Sequence, residues 1–492
     1  MERFIGLIGI VVFMAIAIGL SRHRGSIHWK TVAWGLGLQW LFAIVVLKGD
    51  LLSLWLGFKG LLSWPGFWVH EGTPQAHFYG LGWIIFALMF TPMLLRRFAK
   101  FQSKQLNWSI FGVVVYGLLW GNLVGKTFNN IRIVVQHLME YAHDGASFVF
   151  GSLADSAAGG MGAPVMDSAH NTIGRMGMVF AFVVLPTIIF VASIFAVLYY
   201  LGVMQWVVGA CARAMGRVLK VSGAESVCVA ASILMGQTEA PLTIRPFLSR
   251  LTRSELMVIM TAGMAHVSGS IMVAYVQIAG VDIVHLLTAV IMTAPGAVMI
   301  AKILEPEVEE PETQMVVGEE LKVDIPNHDA NIIDAAARGA FEGGSLAFNV
   351  AVMLIAFIAL VALMNGLIKA AYPGGSLEII LGTLFKPFAF LMGVPWKEAG
   401  TVGSLLGTRM VVNEFVAFIQ LGALPTLSVK AKLVSTFALC GFANFSSIAI
   451  QVGGIGALIP ERRGDLARLG LKAMLAGTLA NFLSACIAGV LS

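Results

Sequence analysis

The sequence predicts an all-α polytopic membrane protein, with about ten spanning helices and two broken, re-entrant hairpins. Three observations predict it: an apolar composition, a series of long apolar runs, and two apolar segments that charge interrupts at matching places. Of 492 residues, 58% are hydrophobic and 12% are charged. Soluble domains run at about 45–50% apolar and about 25% charged. Mean hydropathy is +0.84. That balance excludes a soluble enzyme, a disordered chain and a nucleic-acid-binding module, so the formal charge of +5 has to be read as topology. The partner it implies is the lipid bilayer, with no nucleic acid. Cys211, Cys228, Cys440 and Cys486 stand singly in apolar stretches without metal-ligand spacing, and read as small buried residues.

A spanning helix needs about 20 residues, since about 30 Å of hydrocarbon is crossed at about 1.5 Å per residue. Runs of that kind lie near 4–21, 31–47, 77–95, 105–125, 176–201, 256–281, 283–301, 343–368, 433–456 and 473–491. The first run precedes its Arg cluster, which predicts an uncleaved helix with its amino terminus outside. On that orientation the inward loops hold 20 of the 32 Lys and Arg residues, as expected for cytoplasmic loops of an inner (plasma) membrane protein. Residues 203–220 place Arg213, Arg217 and Lys220 on one side of an apolar helix, predicting an amphipathic element at the cytoplasmic interface. The acidic, Pro-bearing stretch 305–335 predicts a cytoplasmic linker between two membrane halves.

Two apolar segments are too interrupted to span. Residues 222–250 are broken at Glu239-Ala-Pro241, and residues 397–429 at Arg409 and Asn413-Glu414. Each is followed by a span speckled with polar residues, MAHVSGS at 264–270 and GFANFSS at 441–447. Paired interrupted segments, one in each half, point to the midplane site of a secondary transporter. Glu239 and Glu414 lie in apolar surroundings, where a carboxylate costs several kcal/mol. Either they sit on short solvated loops, or they receive a polar substrate or a cation. Gln237, Thr238 and Glu239 place an amide, a hydroxyl and a carboxylate in three consecutive residues; Phe442, Asn444 and Ser447 supply an aromatic face, an amide and a hydroxyl. Hydrogen bonding between helices is the commoner role for a lone Asn or Ser in a span, but the clustering with a second broken hairpin favours a site.

GQTEAPL at 236–242, NEFVAF at 413–418 and ALCGFANFSSIAI at 438–450 closely resemble the signature segments of the concentrative nucleoside transporter family. GASFVFGSL at 145–153 and VAYVQ at 273–277 are similar to further family patterns. The resemblance implies a homotrimeric cation:nucleoside symporter, with a two-fold inverted-repeat transport domain moving on a scaffold domain. It implies that Gln237, Thr238, Glu239, Ile271 and Phe442 face the nucleobase, and that Glu414, Asn444 and Ser447 hold the ribose hydroxyls. A carboxylate suits vicinal hydroxyl donors, while Gln and Thr match mixed donors and acceptors. By motif, the coupling-ion site falls on Ser232, Met235, His266 and Val267. The family pattern has an Asn where Ser232 stands and a Ser or Thr where His266 stands. An imidazole removes an oxygen from a sodium cage, so His266 either carries a coupling proton or only packs between helices. The coupling ion is H⁺ or Na⁺, with the balance toward H⁺; no organic cofactor and no metal other than a possible Na⁺ are implied.

The organisation that follows is a first helix pair at 1–50, an inserted pair with a Trp-rich interfacial segment at 51–142, and a scaffold helix with the amphipathic helix at 143–220. The first hairpin and its helices occupy 221–303, the acidic linker 304–342, a scaffold helix and interfacial segment 343–396, and the second hairpin with the last two helices 397–492. The segment 51–130 has no counterpart in compact bacterial members of the family. No nucleophile–base pair or HExxH arrangement suggests an enzyme; only His266 beside Ser268 hints at one. The competing reading is a nucleoside-binding sensor or gate-type membrane protein that does not transport.

Overall fold

Helix caps and apolar packing around one carboxy-terminal helix set the architecture. The computed structural model describes residues 2–48, 123–154, 164–166, 172–175, 179–313 and 329–492. The span expected at 77–95, the Trp-rich segment, and all but the last three residues of the span expected at 105–125 lie outside the described residues. Backbone packing divides the chain into one unit of residues 1–40 and 134–492 and a second of 41–133. In the second, the described residues are the end of one helix and the start of another, 41–48 and 123–133.

The amino-terminal helices are α1 (Glu2–Gly19), α2 (Trp29–Leu47) and α3 (Leu123–Phe150). The sequence reading left most of α3 in a loop, because Asn129, Asn130, Arg132, Gln136, His137 and Glu140 interrupt its apolar positions. After it, Pro164–Met166 pairs antiparallel with Thr172–Arg175, a short ribbon that an all-α expectation does not contain. Then come α4 (Phe180–Tyr200) and the amphipathic α5 (Val203–Leu219). The first interrupted segment folds as α6 (Gly223–Ser232) and a 3₁₀ stretch, Ala240–Arg250. The run read at 256–281 becomes α7 (Arg253–Ala265) and α8 (Gly269–Ala279), and α9 (Ile283–Leu304) follows.

The carboxy-terminal half begins with α10 (Ile332–Ala371) and α11 (Leu377–Leu391). The sequence reading placed an interfacial segment where α11 lies; instead α11 meets α12 (Trp396–Val411) at 117°. Gly393, with a φ of +92°, supplies the backbone geometry for that bend. The second interrupted segment is α12 with α13 (Glu414–Gly422), and the run read at 433–456 divides into α14 (Val429–Leu439) and α15 (Phe445–Leu458). The last helix is α16 (Arg463–Leu491). Among the described residues, six helical stretches are long and apolar enough to cross a membrane, or seven if α11 with α12 counts as one. The sequence expectation of about ten is higher for three reasons. Two expected runs fall at least partly outside the described residues, the halves of the broken run 433–456 are each short, and the first run is described as a shorter apolar helix, Phe4–Gly19.

Local chemistry explains the element starts. Ser222 with Glu225, and Thr252 with Glu255, form reciprocal capping boxes at the starts of α6 and α7. Asn413 and Asn444 cap α13 and α15, each side chain accepting a backbone N–H at 2.9 Å. Helix α16 is the centre of the packing: α1, α7, α9, α14 and α15 all lie against it. Its small residues, among them Gly470, Ala473, Ala476, Gly477 and Ala480, let neighbouring backbones approach.

One end of this assembly is tied by charge. Glu305 is buried and pairs with Arg22 and Arg253 at 2.8 Å and with Lys472 at 3.3 Å. Burial alone would push its carboxyl up, but the three cations outweigh that and hold it below the usual carboxylate range. A carboxyl held low by folding stabilises above its unfolded value of about 4.3. That stabilisation is lost as pH falls through the folded value. Glu305→Gln should therefore lower the melting temperature in detergent at neutral pH and flatten its fall on acidification. Parallel acid slopes for the two proteins would exclude this role.

Candidate functional site

Both broken spans open toward the same region. Helix α7 ends at Ala265, and His266 through Ser268 run extended before α8 begins. Helix α14 ends at Leu439, and residues 440–443 lead to the Asn444 cap of α15. The carbonyls freed at these breaks find side-chain partners. The Asn481 Nδ2 donates to Ala265 O and to Cys440 O, each at 2.9 Å. Arg409 Nη1 donates to Ala438 O at 2.6 Å, its Nε to Gly441 O at 3.2 Å, and its Nη2 to Asn481 Oδ1. The breaks also bond to each other, Phe442 N to His266 O at 3.3 Å, and Gly269 N joins the first break to Leu234 O of the first hairpin at 3.0 Å.

A chain of polar side chains runs across this region. Glu414 is 5% exposed and begins α13, where the helix N-terminus favours a negative charge. Tyr275 OH donates to its Oε1 and Asn444 Nδ2 to its Oε2, both at 3.0 Å. Asn444 Oδ1 accepts from Ser447 N at 2.9 Å. Ser447 Oγ accepts from Gln237 Nε2 at 3.2 Å, and Gln451 Nε2 donates to Gln237 Oε1 at 3.2 Å and to Met260 O at 3.0 Å. Gln237 from the first hairpin and Glu414 from the second are thus joined through the residues that follow the second break. Both Glu414 oxygens take donors, which suits an ionised carboxylate.

The remaining residues singled out in the sequence take different places. Ile271 is buried on α8, and Thr238 and Phe442 are partly exposed. Glu239 is exposed and accepts from Gly236 N at 3.1 Å, apart from the Gln237–Ser447 chain. It lines a cavity of about 550 Å³ together with Met235, Ser268, Tyr199, Arg338 and Glu342. Residues of the first hairpin, α4 and α10 line that cavity. Ser232 and His266 do meet. Nδ1 of His266 lies 2.8 Å from Ala262 O and 2.9 Å from Ser232 Oγ. A carbonyl only accepts, so Nδ1 carries the hydrogen, and the Ser232 hydroxyl donates to Val229 O at 2.8 Å. Nε2 is buried and has no hydrogen-bond partner among the described residues. That leaves its lone pair without a donor. No cluster of three or more His, Cys, Asp or Glu able to hold a metal occurs among the described residues.

Sequence reasoning missed Tyr275, Gln451, Arg409 and Asn481 as parts of this site. Tyr275 and Gln451 sit in apolar runs as single polar groups, and Asn481 is a lone amide within α16. Arg409 was visible as a charge in an apolar segment, but only as a breaker. The approach of the breaks requires Gly441, where a Cβ would lie 2.5 Å from Asn481 Oδ1 and 2.7 Å from Ala265 O. Overpacking of that kind costs about 1–3 kcal/mol. Gly441→Ala should lower thermal stability in detergent by an amount of that order, and an unchanged unfolding temperature would contradict the close contact.

Broken helices that meet over buried polar groups build the site of a membrane carrier. Comparison with known proteins gives the family. Residues 8–58 match the Na⁺-dependent nucleoside transporter N-terminus, residues 181–282 the nucleoside recognition Gate domain, and residues 285–489 the Na⁺-dependent nucleoside transporter C-terminus. The uncharacterized transporter YutK of Bacillus subtilis is 46% identical over 386 residues, covering 77% of this chain and 89% of that protein. The nucleoside permease NupC of Helicobacter pylori is 42% identical over 72% of this chain and 83% of its own. Sodium/nucleoside cotransporter 2 of Mus musculus is 31% identical across all of this chain and 63% of its own length. Among solved structures, CNTnw in an inward-facing substrate-bound state aligns with a TM-score of 0.75 at 35% identity, covering 99% of this chain and 98% of that one. The chain belongs to the concentrative nucleoside transporter family, an integral membrane protein whose relatives are transporters and not enzymes.

Proposed function

We propose how this chain carries its substrate. It is a cation-coupled nucleoside transporter that works by alternating access. The observation that supports a single site is the polar chain joining Gln237 of the first hairpin to Glu414 of the second. A nucleoside has a base with mixed donors and acceptors and a ribose with vicinal hydroxyl donors. Glu414, Asn444 and Ser447 take the ribose hydroxyls. Gln237, Thr238 and Glu239 address the base edge, and Ile271 and Phe442 provide apolar contact. Binding exchanges the existing bonds among these side chains for bonds to substrate. The substrate undergoes no covalent change.

Arg245 and Arg338, which the charge count assigns to inward loops, line the cavity beside Glu239, and this supports reading the cavity as inward-facing. The hairpins, α7, α8, α14 and α15 move as a transport domain against a scaffold that includes α4 and α10. The chain assembles as a homotrimer in the inner membrane with its amino terminus outside. The exposed apolar side chains of α10, including Ile355, Leu363 and Leu367, suit burial in lipid or against a second copy. Ser232, Met235, His266 and Val267 form the coupling-ion site. With Nδ1 committed to donation and Nε2 buried and unpaired, His266 favours a proton as the coupling ion.

Labelled uridine uptake into proteoliposomes, with sodium and pH gradients imposed separately, tests this. Uptake should follow the pH gradient. Uptake driven by sodium at constant pH would overturn proton coupling, and binding without uptake under either gradient would favour a sensor. Glu414→Gln should weaken uridine transport more than transport of an analogue lacking the contacted ribose hydroxyl. The lost charge-assisted bond corresponds to about 1.5–3 kcal/mol, or roughly ten- to a hundredfold in kcat/KM. Equal losses for both substrates would remove Glu414 from the ribose contact.

A further inference from the structure

Arg409 is 2% exposed, yet none of the ion pairs among the described residues includes it. Its three hydrogen bonds all go to neutral oxygens: the carbonyls of Ala438 and Gly441 and the side-chain oxygen of Asn481. Two peptide carbonyls and an amide oxygen, at the C-terminal end of α14, are the kind of donor set that holds a hard cation. Here the cation is covalently attached to the second hairpin. A buried charge with no bonded counter-ion is costly, and its field acts on what lies near it. Glu414 lies five residues along the chain, and the same break links the two: Arg409 Nε donates to Gly441 O at 3.2 Å, and Asn444, three residues further on, donates to Glu414 Oε2 at 3.0 Å.

We infer that Arg409 is a tethered cation, a positioning residue that closes the second break and places a positive charge beside the Glu414 carboxyl held by Tyr275 and Asn444. The second half of the site thereby holds its charge without a bound ion, and ion coupling falls to the first half, at Ser232 and His266. This rests on the reading of Glu414 as the ribose acceptor. Both ends of the device lie within the second hairpin and its break. The guanidinium travels with them, so this positive charge does not depend on the ion gradient on either side.

Charge-selective rescue separates this role from packing alone. In proteoliposomes, Arg409→Ala should reduce uridine uptake by about a hundredfold, the scale of a buried charge left without its partner. Millimolar guanidinium should restore it, while urea, of the same planar shape and without charge, should not. Arg409→Lys should retain uptake within about tenfold of the native protein, since it keeps the charge but loses the fork. Arg409→Gln should not. Rescue by urea as good as by guanidinium, absence of any rescue in a folded Arg409→Ala protein, or equal loss in the Lys and Gln variants would overturn the proposal. Where Arg409→Ala does not fold, the Lys and Gln pair decides. Failure of the ribose reading shows separately, in the analogue selectivity of Glu414→Gln with Arg409 intact.

Discussion

The side-chain amide of Asn481 donates to Ala265 O and Cys440 O, and the arrangement of both broken spans depends on those two bonds. A helix interrupted at membrane depth exposes carbonyls that no water can satisfy, and each costs several kcal/mol if left alone. Placing one amide at the meeting point of two interruptions answers both at once. It also fixes where the breaks lie relative to each other. Gly441 leaves the space that this meeting needs, and Arg409 takes up the remaining carbonyls from the hairpin side.

The polar chain of the site follows from that anchor. With the breaks held together, Asn444 caps α15 with its oxygen and turns its nitrogen to Glu414, so that one residue both starts a helix and orders the acceptor. Ser447 and Gln451 lie three and seven residues further along, on the face that meets Gln237. Tyr275 approaches Glu414 from the other side; it is stacked on Phe418 with centroids 4.2 Å apart and cannot swing away without breaking that contact. Dense packing around α16 holds these parts together, and α8 also packs on α4, where Gln277 Nε2 donates to Thr187 Oγ1 at 3.0 Å; the cavity beside Glu239 is lined by residues of the first hairpin, α4 and α10.

Much of this was legible in the sequence where the signal was local. The apolar runs gave helices, the amphipathic stretch at 203–220 lies in α5, and the interruptions at Glu239 and Asn413-Glu414 fall at real breaks. Asn413 and Asn444 were readable as polar residues but not as caps, because a cap is recognised only once the helix start is known. Tyr275, Gln451 and Asn481 were not legible as partners. Each is a single polar residue in an apolar run, and its bond is made to a residue tens to hundreds of positions away. The same holds for Arg409, whose role depends on carbonyls 29 and 32 residues on. The extent of α3 and the ribbon at 164–175 escaped because neither shows a clean apolar period.

The central claim is that the two hairpins and two breaks form one body that moves against α4 and α10. Distances between spin labels in reconstituted protein test it most directly, with one pair joining the two hairpins and another joining the first hairpin to α10. With uridine added, the account predicts a changed distribution for the hairpin-to-α10 pair and an unchanged distance between the hairpins. A hairpin-to-hairpin distance that shifts as much as the distance to α10 would contradict it.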